Sequence, residues 1–386
     1  MDVGRVGKGT SLAMETSTTI DDIGLTRTWG GLQNRERLQA LVEAYHDLID
    51  QRRRLNWTEH LQLIRRLGHG GQGVVYLSQR RGADGFTLPV ALKFFAPDPY
   101  PSEAAYEEAM QRIGWVSSRV AQIAHDNLLD VHNWLERDGI RIMEMEWVDG
   151  YDLARLLTNR MYQLLEQRVK PIRWRYLNEV VVTAGPVQPR LKPGVAVAIV
   201  RDCLAGLAAL HRGRIVHGDI KPSNIMLKKT GTAKLVDVGS AVDLDKPPSR
   251  RSCTPLYAAP EVLDSDGADI SPRSDLASLG YVLIEMLSGQ PVFPPNLQRA
   301  ELLEAKRLLP QRLHTILPPE CLKSEALVSF CRLLIAPDPS KRFDNAEAAD
   351  LGRNGASEFL RELVKGDLAS EYATEIRLWL ADLHDL

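Results

Sequence analysis

His217-Gly-Asp-Ile-Lys-Pro-Ser-Asn224, with Asp237-Val-Gly239 beginning thirteen residues after its last member, decides the reading of this chain. The two stretches hold two carboxylates, a lysine and an amide, which is the equipment for moving a phosphoryl group. A hydroxyl that attacks the γ-phosphate of a nucleotide must lose a proton, and the charge on the phosphoryl oxygens must be met by cations. Asp219 suits the first role, and Lys221, Asn224 and Asp237 suit the second. Asp237 would chelate Mg²⁺ between phosphates and Asn224 would hold a second ion through its amide oxygen, because Mg²⁺ prefers hard oxygen ligands. The competing reading is a polar turn, broken by Pro222 and capped by Asp and Asn.

Working outward, Leu67-Gly-His-Gly-Gly-Gln-Gly-Val-Val75 has the G-x-G-x-x-G-x-V spacing at Gly68, Gly70, Gly73 and Val75, between two apolar runs. Glycine lets a backbone approach phosphates and take dihedrals that a Cβ forbids. The same spacing occurs in flexible hairpins and dinucleotide folds, but a dinucleotide fingerprint runs from strand into helix. Here β-branched Val74 and Val75 predict a second strand. Val90-Ala-Leu-Lys93 follows, an alternating strand whose lysine would reach the α- and β-phosphates or, on the plainer reading, decorate a sheet edge.

With these motifs in order, the chain resembles a eukaryotic-type serine/threonine protein kinase over roughly residues 60–345. The resemblance makes Leu67, Gly68, His69, Gly70, Gly71, Gln72, Gly73 and Val75 the phosphate-covering loop, Lys93 the nucleotide-orienting lysine and Asp219 the base. It makes Lys221 the γ-phosphate lysine, and Asn224 and Asp237 the holders of Mg²⁺ or Mn²⁺. Ala259-Pro-Glu261 matches the end of an activation segment, and Asp338-Pro-Ser-Lys-Arg342 the segment whose arginine pairs with that glutamate. Asp275 would brace the catalytic loop. Met145 falls at the gatekeeper position of a hinge, where backbone groups of Glu146 and Val148 would meet adenine and Ala91 and Met226 would close the slot. Met and Ala are equally at home as ordinary core. The implied fold is α+β with two lobes: a small antiparallel β-rich lobe with one long helix, and a large helical lobe. The implied reaction is transfer from ATP to Ser or Thr of a protein, Lys221 and Thr254 being like the serine/threonine branch. A pseudokinase scaffold is the rival.

Two departures stand out. Gly218 occupies the place of the arginine usual before the catalytic aspartate, so a phosphorylated activation loop would lack its usual cation, and Val238 replaces the usual phenylalanine of the metal triplet. A helix capped by Ser102 runs through Ala105, Tyr106, Met110, Ile113, Val116, Val120 and Ile123. Of its acids Glu103, Glu107 and Glu108, Glu107 is preferred as the partner of Lys93, since it lies near the apolar stripe and beyond the first residue. The alternative is that all three complement the helix dipole. Ser249, Ser252 and Thr254, beside Arg250 and Arg251, are candidate autophosphorylation sites.

The chain has 386 residues, 44% hydrophobic and 25% charged, enough for two lobes plus extensions. A net charge of −2 gives no electrostatic case for nucleic acid or an anionic membrane. Four cysteines without CxxC spacing read as a reducing, cytoplasmic setting rather than a disulfide or zinc framework. The apolar runs 194–210 and 276–287 are interrupted by charges and read as buried helices rather than membrane spans. The N-terminus carries neither a signal-peptide core nor a myristoylation glycine.

The expected organisation is a mobile tail (1–30), an amphipathic helical extension (31–58), a kinase domain (59–367, lobes 59–149 and 150–367) and a C-terminal helix (368–386). Gly4–Thr10 lacks the spacing of a true phosphate loop. The helix near 33–54 is expected to dock on the small lobe, because a single amphipathic face is most often buried in its own domain. Residues 158–193 form an insert longer than the family's usual connection.

Overall fold

A computed structural model of the chain describes residues 35–50, 54–56, 60–247, 254–265, 269–365 and 371–383. The expected tail, together with Ser249, Arg250, Arg251, Ser252 and Cys253, lies outside them.

The small lobe is a six-stranded antiparallel sheet in the order β1-β2-β3-β4-β6-β5. Its strands are β1 (Arg54–Asn56), β2 (His60–Gly70), β3 (Gly73–Arg81), β4 (Thr87–Phe95), β5 (Val131–Arg137) and β6 (Ile140–Glu146). Alternation along β4 sorts its side chains. Val90, Leu92 and Phe94 point to one face, packed with Leu61, Leu63, Val74, Ile140 and Ile142. Ala91, Lys93 and Phe95 point to the other, toward the cleft, and Ala91 and Phe95 join the main core there. β4 is an interior strand, so Lys93 is 5% exposed rather than an edge residue.

The first face would be wet without the helix α1 (Arg35–Asp50). Tyr45 is buried against it, Leu41, Leu48 and Ile49 pack beside it, and the Tyr76 hydroxyl donates to the carbonyl of Ile49 at 3.0 Å. Burying a residue of this size is worth about 1.5–3 kcal/mol, which makes this extension a structural cover for the sheet. The turn between β5 and β6 is Asp138-Gly139, both at positive φ, as a two-residue hairpin demands. A Cβ on Gly139 would stand 2.8 Å from the Leu41 side chain.

Against the cleft face lies α2 (Glu103–Val120), started by Ser102, whose hydroxyl accepts from the Ala105 N–H at 3.2 Å. Beyond the hinge come β7 (Gly150–Asp152) and α3 (Leu153–Leu156). The insert then folds into α4 (Asn159–Arg168), α5 (Pro171–Val180) and a small hairpin of β8 (Val182–Thr183) and β9 (Arg190–Leu191).

The large lobe is built on α6 (Pro193–Arg212). This helix is long and apolar enough to cross a membrane by composition, but its side chains are buried among its neighbours. After it come β10 (Ile215–Val216), β11 (Ile225–Lys228), β12 (Ala233–Leu235) and β13 (Val242–Asp243), then α7 (Pro260–Asp264). Next is α8 (Pro272–Ser288), opened by a Ser271/Ser274 capping box and closed by Gly289 at φ 71°. It is buried on all sides along nearly its whole length, the signature of a central helix. The remaining helices are α9 (Arg299–Ile316), α10 (Pro319–Leu322), α11 (Glu325–Leu334), α12 (Ala346–Leu351), α13 (Ala356–Lys365) and α14 (Tyr372–Asp382).

The last of these packs onto α6, with Trp379 and Leu380 buried. It reaches the insert through Arg173 to Asp382 at 2.9 Å and the Tyr176 hydroxyl to Glu375 at 2.6 Å. The Tyr151 hydroxyl, next to the hinge, donates to the carbonyl of Leu383 at 2.8 Å.

Candidate active site

The loop 217–224 hangs between β10 and β11 and is pinned from below by Asp275 in the first turn of α8. Asp275 accepts from the His217 N–H at 2.8 Å and the Gly218 N–H at 2.9 Å, and lies 2.9 Å from His211 Nε2. Gly218 sits at φ 75°, and a Cβ there would lie 2.9 Å from the carbonyl oxygen of Ser240. Glycine takes this conformation without strain. The loop is therefore set by its own backbone and by Asp275, with no arginine in the segment.

Asp219 is 4% exposed and its carboxylate is surrounded by donors. Oδ1 accepts from the Thr254 hydroxyl at 2.7 Å, and Oδ2 lies 2.9 Å from Lys221 Nζ and 3.1 Å from Asn224 Nδ2. Asn224 Nδ2 also donates to the Asp219 carbonyl at 2.8 Å, and Lys221 Nζ to the Thr254 hydroxyl at 3.1 Å. Because Asn224 uses its amide nitrogen on Asp219, its amide oxygen is the group left for a cation. Thr254 is buried and hydrogen-bonded to both Asp219 and Lys221, so it is no exposed phosphate acceptor.

Asp237 is held at φ 64°, ψ 74°, a left-handed conformation unusual outside glycine. Its side chain is 31% exposed and accepts from Lys93 Nζ at 2.5 Å and the Gly239 N–H at 3.2 Å. Burial alone would raise its pKa; the Lys93 charge and hydrogen bond, with Lys221 nearby, outweigh that and bring it to about 2. The carboxylate is therefore a permanent anion near neutral pH. Two hard oxygen donors, Asp237 and Asn224, fit Mg²⁺, which keeps waters and shares phosphate oxygens instead of demanding an all-protein cage. No cluster of three or more His, Cys, Asp or Glu suited to a metal occurs among the described residues.

Strands β2 and β3 form the glycine flap, with Gly70 opposite Gly73 across a turn of Gly71 and Gln72. Gly73 is at φ 140°, and a Cβ on it would meet the Phe94 carbonyl oxygen at 1.9 Å, so the flap can rest on β4 only with glycine here. Leu67, Gly68, His69 and Gly70 are exposed, while Val75 is half-buried. Gln72 turns inward: its Oε1 accepts from Lys93 Nζ at 2.8 Å and its Nε2 donates to the Ser240 hydroxyl at 3.0 Å.

Ala91 and Met145 face each other across β4 and β6, and both are buried, as is Val148; Met226 is half-buried on β11. The Glu146 N–H donates to the Asp130 carbonyl at 2.9 Å, so that group is already engaged. The Glu146 carboxylate takes the Asp130 N–H at 2.8 Å and an ion pair with Lys234.

The pairing of Lys93 with Glu107 does not form in this structure. Glu107 and Glu108 are exposed, Glu103 is half-buried in the first turn, and Lys93 pairs with Asp237 instead. The buried face of α2 comprises Tyr106, Met110, Ile113, Val116, Ser117 and Val120, without a carboxylate. The helix is tied to the chain after the metal triplet by other means. Trp115 Nε1 donates to Asp243 Oδ2 at 3.1 Å, Arg119 pairs with Asp243 at 2.6 Å, and Lys246 Nζ stands 3.9 Å from the centre of the Trp115 ring.

Glu261 and Arg342 form a two-pronged pair at 2.7 Å for each contact. Toward the other end of α8, Glu285 accepts from the Tyr257 hydroxyl at 2.7 Å and from Gln188 of the insert at 3.1 Å. Burial raises the Glu285 pKa against these two hydrogen bonds.

Gln72 to Lys93 and Trp115 to Asp243 are among the contacts that escape sequence reasoning. Spacing gives Gln72 a place in a phosphate loop without saying where an amide at its tip will point, and Trp115 reads as one more residue of a helix.

Comparison with known proteins agrees with this geometry. The protein kinase domain family matches residues 61–351. Serine/threonine-protein kinase PknD of Mycobacterium tuberculosis is 31% identical over 60% of this chain and 30% of its own length. PrkC of Bacillus subtilis, also a serine/threonine-protein kinase, is 28% identical over 75% of this chain and 41% of its own. SKM1 of Saccharomyces cerevisiae, of the same description, is 27% identical over 62% and 35%. The chain thus spans well under half the length of these curated relatives.

Proposed function

The chain belongs to the protein kinase family, and from that premise we propose that it transfers the γ-phosphoryl group of ATP, with Mg²⁺ or Mn²⁺, to Ser and Thr hydroxyls of proteins. The observation that carries the reading is the cluster around Asp219. A buried carboxylate with Thr254 on one oxygen and Lys221 on the other is oriented to receive a proton from an incoming hydroxyl and lies beside a cation for the phosphoryl oxygens. Asn224 and Asp237 would hold the metal, which when bound neutralises phosphate charge. Lys93 would orient the α- and β-phosphates. Gly68, Gly70 and Gly73 let the flap descend, and Ala91, Met145, Val148 and Met226 would line the slot for the base. A pseudokinase has no use for Lys93, Asp219, Asn224 and Asp237 together. The buried free thiols Cys203, Cys321 and Cys331 support work in a reducing compartment.

The test is incubation with Mg²⁺, γ-labelled ATP and a generic basic protein, beside Asp219→Ala. Phosphoserine and phosphothreonine formed by the unaltered protein alone establish the reading. Absence of transfer with ATP binding intact overturns it in favour of a nucleotide-binding scaffold.

A further inference from the structure

An ammonium that orients phosphates must be held without being neutralised by the wrong partner. Lys93 is 5% exposed, so its charge needs fixed acceptors. The helix packed on its side offers none: the buried face of α2 carries no carboxylate, its Tyr106 hydroxyl is engaged with the Phe95 carbonyl and the Arg141 N–H, and its Ser117 hydroxyl is unpartnered. The acceptors that the structure provides are Asp237 Oδ1 at 2.5 Å and Gln72 Oε1 at 2.8 Å, with the Phe95 ring 5.1 Å from Nζ. Asp237 is also the metal ligand of the proposed function. With Asp237 serving as a metal ligand, the other oxygen on Lys93 among the described residues would be the amide of Gln72.

Gln72 is suited to this role by how it is held. Its carbonyl oxygen accepts from the Ala96 N–H at 3.0 Å, which seats the flap tip on the end of β4. The ammonium can only donate, so it takes Oε1, and Nε2 is left to donate to the Ser240 hydroxyl at 3.0 Å, which holds the amide in place. Being neutral, the amide oxygen orients the ammonium by one hydrogen bond and leaves its full charge for phosphate.

We propose that Gln72, from the tip of the glycine flap, is the positioning residue for Lys93, doing from the flap what the family's helix carboxylate would do, with Ser240 as its support. Closing of the flap and alignment of the lysine are then one event, in which α2 has no part. The proposal rests on the kinase reading for its catalytic arm, but its binding arm stands apart from it.

The experiment compares Gln72→Ala, Gln72→Glu, Ser240→Ala and the double variant Gln72→Ala/Ser240→Ala. It measures KM for ATP and kcat on a generic basic protein, and the affinity for a fluorescent ATP analogue with Mg²⁺. Far-ultraviolet circular dichroism confirms folding, since the half-buried Gln72 and Ser240 side chains lie outside the two hydrophobic cores. Loss of one hydrogen bond to a charged group is expected to raise KM and the analogue Kd about tenfold in Gln72→Ala, with kcat changed less. Gln72→Glu, which sets a second anion against Lys93 and removes the donor to Ser240, is expected to bind the analogue no better than Gln72→Ala. The double variant is expected to be no worse than Gln72→Ala, because both changes break one chain of contacts. Gln72→Ala with unchanged KM and Kd, or with tighter binding, overturns the proposal, the latter identifying Gln72 as a plug in the phosphate site. If the unaltered protein binds the analogue but transfers no phosphate, the kinase reading fails and the affinity series still decides the role of Gln72.

Discussion

The Thr254 hydroxyl donates to Asp219 Oδ1 at 2.7 Å while accepting from Lys221 Nζ at 3.1 Å, so one buried side chain of the activation segment ties base and cation together. With Asp219 as the base of the proposed reaction, this contact would set where the base points. Thr254→Val keeps the shape and removes the hydroxyl, and is expected to lower kcat by about ten- to a hundredfold with little change in KM for ATP. Thr254→Ser is expected to stay within about threefold of the unaltered protein. Steady-state kinetics on one protein substrate separates the two.

The Glu261–Arg342 pair predicts stability rather than rate. The Arg342 side chain is 0% exposed and that of Glu261 12%, so truncating the arginine strands a buried carboxylate. Arg342→Ala is expected to lose about 3–5 kcal/mol in urea unfolding followed by fluorescence. The same loss is not expected from Arg212→Ala, whose partner Glu347 is solvent-exposed.

Acid should reveal the Lys93–Asp237 contact. The Asp237 pKa lies near 2 against an ordinary 3.8, a depressed carboxylate, so its stabilising contribution is complete above the unfolded value and disappears as pH falls through the folded one. The stability difference between the unaltered protein and Lys93→Met is expected to be flat above about pH 5 and to shrink between about pH 4 and 2. Urea titrations at stepped pH measure it. A difference that grows toward acid would contradict the assignment.

Asp243 anchors α2 from its far end. Burial pushes its pKa up, but hydrogen bonds from Arg119, the Asp245 N–H and Trp115 bring it below the usual carboxylate range. Asp243→Ala releases both Trp115 and Arg119, and is expected to cost about 1–3 kcal/mol of local stability. Hydrogen exchange should accelerate in residues 113–120 and leave α8 protected.

The parts of this molecule legible in the sequence are those whose spacing is fixed by backbone geometry. The glycines at 68, 70 and 73 announce a flap because no other residue permits it, as the Phe94 oxygen 1.9 Å from a Gly73 Cβ attests. The period of β4 places Ala91 and Lys93 on one face, and Ser102 gives the start of α2, though the apolar stripe carries the reading three residues past its end at Val120. Arg342 and Glu261 meet as the motif order implies. The partner of Lys93 was not legible. Several acids on one helix look alike in a sequence, and which of them turns inward depends on helix rotation, which packing of Tyr106, Met110 and Val116 settles. Thr254 read both as a mark of the serine/threonine branch and as a candidate phosphate acceptor, and its burial was hidden because an irregular segment has no period to betray it.

Gly218 carries a consequence for any attempt to alter how this protein is switched. The chain has closed over the place where a side chain would stand: a Cβ there meets the Ser240 oxygen at 2.9 Å and the Ile270 side chain at 3.3 Å. Returning an arginine by a single substitution therefore forces the backbone after the metal triplet to move, and with it the anchor of Gln72. An arginine-gated loop of the family's usual kind cannot be installed here in one step. It would need matched changes on both sides of the cleft, at the loop and at Ser240, before the new charge had anywhere to sit.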